Sequence, residues 1–145
     1  MYELKIIRER KEGYGLRKQF RHAQGIYEMF RERFERADRE EFVVLLLDAK
    51  NKQMGFHVVS VGALTSSLVH PREVYEVAIL GNAAATILLH NHPSGDPTPS
   101  AEDLSITTRL RQVGDVLGIR VLDHVVIGDG RYVSFVDDGY FQQST

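Results

Sequence analysis

Residues 88–103, LLHNHPSGDPTPSAED, constrain the architecture of this chain more than any other stretch. Two histidines stand one residue apart, a Pro/Gly loop follows, and a serine and an aspartate close the stretch. The run 86–89 is apolar and β-friendly, so His90 and His92 are expected at the end of a strand, where residues i and i+2 point to the same face. On a helix the same spacing would separate them by roughly 200° and put the rings on opposite sides. Pro93 disfavours helical angles at His92, which supports the strand. Gly95 permits the turn, while Pro97 and Pro99 stiffen the loop, so the stretch is able to hold a third group in place beside both imidazoles.

Ser100 and Asp103 match two patterns at once. Ser-x-x-Asp resembles the capping box that opens a helix, and Leu104, Ile106, Leu110, Val113 and Leu117 continue with roughly helical spacing. A helix starting at Ser100 also aims Asp103 back toward the loop that carries the histidines. Two imidazoles, one carboxylate and an open position make a catalytic zinc site, whereas a closed structural site shows four protein ligands, often cysteines. The chain has no cysteine. The letters HNH at residues 90–92 do not make a nuclease, because that motif's residues are spread over a ββα unit.

His90-x-His92, seven residues, Ser100, two residues and Asp103 together resemble the JAMM motif of the MPN+ metalloprotease superfamily. Within it, HNHPSGDPTPS, the upstream HPRE at 70–73 and LDHVVIGDGRYVSF at 122–135 are similar to the RadC-type JAB domain. The resemblance spans roughly residues 41–135. It implies an MPN fold, a mixed β-sheet flanked by helices, with zinc held by His90, His92 and Asp103. It further implies that Ser100 binds the reacting oxygen and that a glutamate just before an apolar strand carries the proton. That glutamate maps to Glu41 in EFVVLLLD. Glu40 is the neighbouring candidate, and Glu41 is preferred because it stands immediately before the apolar run. The implied activity is zinc-dependent cleavage of peptide or isopeptide bonds in a peptide or protein substrate. The competing reading is a DNA-repair-associated or nucleic-acid-binding protein with a vestigial metal site. Non-catalytic MPN scaffolds are expected to lack metal ligands, and here the set is complete.

Taken in order, residues 2–8 alternate like an edge strand and residues 9–15 read as a charged turn. Ile26, Met29, Phe30 and Phe34 keep helical spacing, which predicts an amphipathic helix over 21–36. The nearly continuous apolar run 42–47 predicts a strand covered on both faces, paired with a second strand at 56–61 as an antiparallel hairpin. A small-residue connection occupies 62–69. Pro71 opens a helix that stops near Gly81, residues 83–89 form the strand that delivers the histidines, and Gly118 ends the helix begun at Ser100. Residues 120–127 and 131–136 then pair around a Gly128-Asp129-Gly130 turn. The expected fold is α/β in the broad sense, as one domain: an N-terminal strand and helix at 1–40, a catalytic core at 41–137, and a polar tail at 138–145 with aromatics able to dock back. His70 and His124 are expected as hydrogen-bonded structural histidines near the site, and His22 and His57 on the surface.

At 145 residues such a domain buries most of its apolar surface without staples. The absence of cysteine excludes disulfides and suits a reducing cytoplasm. No segment approaches the roughly 18–20 apolar residues of a membrane span, and no signal-peptide core opens the chain, so a cytoplasmic protein without a membrane partner is expected. Net charge is −2, which gives no global case for nucleic acid. Residues 1–21 carry 7 Lys/Arg against 3 Asp/Glu, a basic arm that keeps nucleic acid as an unfavoured partner. Longer members of the resembled family carry an N-terminal helix-hairpin-helix module. The stretch before Glu41 shows no such pattern, so the chain reads as the stand-alone catalytic module.

Overall fold

The elements of the chain, in a computed structural model that describes residues 1–3, 7, 9, 18–63 and 69–143, run α1 (Ala23–Glu35), β1 (Glu41–Leu47), β2 (Gln53–Val61), α2 (Pro71–Leu80), β3 (Ala85–Asn91), α3 (Ala101–Leu117), β4 (Arg120–Ile127) and β5 (Tyr132–Ser134). The expected edge strand at 2–8 and turn at 9–15 lie largely outside the described residues, as does most of the connection 62–69.

β1 is buried along nearly its whole length because its side chains meet apolar partners on both faces. Val43, Leu45 and Leu47 pack against Ile26, Tyr27, Phe30 and Phe34 of α1. Phe42, Val44 and Leu46 share a second core with Val74, Tyr75 and Ala78 of α2 and with Ile106 and Leu110 of α3. Strand alternation thus sorts one continuous apolar run into two cores, with helices on both sides of the sheet. Each fully buried large side chain contributes roughly 1.5–3 kcal/mol. The result is the mixed α+β fold that the resemblance implies. Among the described residues no helix is long and apolar enough to cross a membrane.

The strand order is β2-β1-β3-β4-β5. β1 pairs antiparallel with both β2 and β3, β3 runs parallel to β4, and β5 closes the far edge antiparallel to β4. A parallel pair needs a crossover, and α3 supplies it between β3 and β4. This connection brings the histidine end of β3 beside the first turn of α3. The tail docks as expected: residues 140–143 form a short 3₁₀ turn, and the Arg111 guanidinium lies 3.9 Å over the Phe141 ring while donating to its carbonyl at 2.9 Å.

Candidate metal centre

His90 is the penultimate residue of β3 and is fully buried; His92 follows the strand on the same face. Their Nε2 atoms lie 3.0 Å apart. Asp103, in the first turn of α3, brings Oδ1 to 3.3 Å from His90 Nε2 and Oδ2 to 3.1 Å from His92 Nε2. The three residues form a group whose ligating atoms lie within 4.8 Å of one another. The tautomer of His92 suits a cation: its Nδ1 sits 2.8 Å from the Asp96 carbonyl, which only accepts, so Nδ1 carries the proton and Nε2 offers a lone pair. Two ring nitrogens and a carboxylate, open on one side, are a donor set able to hold a metal ion.

The capping box and the metal group prove to be one construction. Ser100 Oγ accepts the Asp103 N–H at 3.0 Å, and Asp103 Oδ2 accepts the Ser100 N–H at 2.8 Å. The same Oδ2 faces His92, so the cap that starts α3 also aims the carboxylate. Burial pushes the Asp103 carboxyl upward, but the adjoining imidazoles of His90 and His92 and the Ser100 N–H outweigh it and hold the group well below the ordinary carboxylate range. The hydrogen bond to Asp103 raises His92 above its ordinary value. Both shifts favour positive charge between these side chains.

The loop 93–99 is pinned from within and from below. Asp96 accepts the Thr98 N–H at 3.0 Å and its hydroxyl at 2.7 Å, and Gly95 adopts φ +95°. Asp129 N–H donates to the Gly95 carbonyl at 2.8 Å, and His92 N–H donates to Ile127 at 2.9 Å. A Cβ at Gly128 would strike the Gly95 carbonyl oxygen and sit 2.8 Å from Pro97 Cδ. Gly128→Ala is therefore expected to lower stability by about 1–3 kcal/mol, measurable by urea denaturation. A melt unchanged from wild type would show that the loop yields.

The two glutamates part company here. Phe42 stands opposite His90 in the β1–β3 register, so even-numbered residues of this strand share the histidine face. Continued by two residues, that register sets Glu40 opposite His92. A cavity of about 260 Å³ is indeed lined by Glu40, His92, Pro93, Ser94, Ser100 and Asp103. Glu41 belongs to the other face, where its carboxylate meets Arg33 of α1 at 3.2 Å. Of the two glutamates, the structure brings Glu40 to the cavity, while Glu41, the one the sequence reading prefers, pairs with Arg33 on the opposite face.

Asn91 and Thr107, which the sequence reading passed over, border the group together with His124. Asn91 accepts the Glu41 N–H at 2.7 Å and donates to the Arg39 carbonyl at 3.0 Å. His124 lies 2.7 Å from His90 Nδ1, and Thr107 hydrogen-bonds His124 in turn. His124 is a hydrogen-bonded structural histidine, as expected. His70 instead caps α2 by accepting the Arg72 N–H, and His22 and His57 are exposed. A larger groove of about 440 Å³, lined by Thr108, Arg109 and Phe141 among others, holds no carboxylate or metal-ligating group.

The family model described as RadC-like JAB domain matches residues 20–140. UPF0758 proteins of Geotalea uraniireducens and Geobacter sulfurreducens are 54% and 55% identical over 114 residues, covering 79% of this chain and 50% of each relative. A UPF0758 protein of Methanosarcina acetivorans is 49% identical over 115 residues, again covering 50% of its length. The chain spans about half the length of these relatives.

Proposed function

Because the chain belongs to the RadC-like JAB domain family, we propose that it is a zinc-dependent hydrolase of the JAMM type that cleaves peptide or isopeptide bonds. The observation that supports this reading is the group formed by His90, His92 and Asp103, the last two of which line a cavity together with Glu40 and Ser100. His90 Nε2, His92 Nε2 and the Asp103 carboxylate would hold the ion. When bound, zinc supplies Lewis acidity, lowering the pKa of water from near 15.7 toward about 7 and polarising the scissile carbonyl. Glu40, at the cavity wall, takes the proton of the attacking water and passes it to the leaving amine. Ser100 Oγ accepts the Asp103 N–H and keeps its own proton, which it donates to the oxyanion of the tetrahedral intermediate. A well-placed donor of this kind contributes roughly 3 kcal/mol. Glu41 takes no part.

Elemental analysis tests the premise. Wild-type protein purified without added metal should carry near-stoichiometric zinc, and Asp103→Ala should lose it. Protons compete for the same atoms: because His92 is raised above its ordinary value, its bound proton must leave before its lone pair is free. Zinc affinity is therefore expected to climb as pH rises through and beyond the ordinary histidine range. Equal zinc in wild type and Asp103→Ala would remove Asp103 from the site.

A further inference from the structure

His124 is fully buried, and the chemistry above leaves it unused. Its two ring nitrogens join a chain of hydrogen bonds whose direction follows from its last member. The Asp103 carbonyl has no proton to give, so the Thr107 hydroxyl donates to it, at 2.7 Å. That uses the only proton of Thr107, so Oγ1 receives one from His124 Nδ1. With Nδ1 protonated, neutral His124 presents a bare Nε2, and that atom lies 2.7 Å from His90 Nδ1. His90 Nδ1 must then be the donor, which leaves the lone pair of His90 on Nε2, facing His92 and Asp103.

We propose that His124 and Thr107 are positioning residues that lock His90 in the tautomer able to bind metal through Nε2, an inference that rests on the metal reading above. Thr107 turns its hydroxyl back onto the preceding turn of α3, and the backbone it grips is that of Asp103, so one buried circuit ties two ligands together across β3, β4 and α3. The circuit has no slack. Phe135 stacks on the His124 ring at 4.5 Å between centroids, Phe42 stands edge-on to it at 5.7 Å, and Thr107 and His90 are themselves buried. Hydrogen bonds to the far nitrogen of a metal-ligating histidine set its tautomer and orientation, and losing such a partner weakens metal affinity about 10–100-fold.

Thr107→Val tests this, because valine keeps the branched shape of threonine and replaces the hydroxyl with a methyl group that can neither donate nor accept. Zinc affinity would be measured by competition with a chromophoric chelator, and ring tautomers by long-range ¹H–¹⁵N correlation on zinc-loaded and metal-stripped protein. Thr107→Val should fold, bind zinc about 10–100-fold more weakly than wild type, and show His90 as a tautomer mixture when stripped of metal. Thr107→Ser, which restores the hydroxyl, should recover both. Wild-type zinc affinity in Thr107→Val, or a wild-type His90 whose Nδ1 carries no proton, would overturn the proposal. Failure of wild type to bind zinc while His90 remains protonated at Nδ1 would overturn the hydrolase reading and leave this tautomer assignment supported.

Discussion

Glu40→Gln is expected to keep zinc, fold and KM while losing about 10²- to 10⁴-fold in kcat, the usual contribution of a general acid/base. The amide occupies the same space at the cavity wall but cannot accept a proton from water. Glu41→Gln should stay near wild type in activity. It weakens the part-buried contact with Arg33, which lies on the face of β1 away from the histidines. Both variants would be assayed on a cleavable substrate drawn from peptide and isopeptide libraries, with zinc content measured alongside. A dead Glu41→Gln beside an active Glu40→Gln would refute the register argument. Full activity in both would refute a carboxylate proton carrier before β1.

The same register explains what could be read from the sequence and what could not. His90 and His92 were legible as a pair because strand alternation has period two and Pro93 excludes the helix. The position of Asp103 was legible because the capping box fixes it, and the same geometry turns its carboxylate toward the histidines. The choice between Glu40 and Glu41 was not. It depends on which face of β1 belongs to the histidines, and the run Phe42 to Leu47 is apolar on both faces, so its pattern carries no sign of orientation. Only the pairing of Phe42 with His90, a contact between distant residues, settles the face. His124 was underread for a related reason. It reaches His90 through the parallel β3–β4 pairing, which no local spacing encodes. Thr107 looked like an ordinary helix residue, since a hydroxyl turned onto the preceding carbonyl leaves no mark in the sequence.

Asn91→Ala is the second change expected to have a large effect, and it acts through Glu40 without touching it. The β1–β3 register runs as far as Phe42 and His90, and beyond it the Asn91 side chain replaces the next backbone rung. Its Oδ1 takes the Glu41 N–H at 2.7 Å and its Nδ2 reaches the Arg39 carbonyl at 3.0 Å, so the two bonds bracket Glu40. Asn91 is itself buried, so truncation strands backbone groups at a cost of about 1–3 kcal/mol and frees the segment that carries the carboxylate. A misplacement of about 1 Å at a reacting group lowers rate by about 10²-fold. Asn91→Ala should therefore lose about that much in kcat with zinc content and KM retained. Added to Glu40→Gln, it should cost little more, because the residue it positions is already disabled. The same fold-loss in both backgrounds would mean that Asn91 acts elsewhere in the site, and an unaffected kcat would mean that β1 holds Glu40 without it.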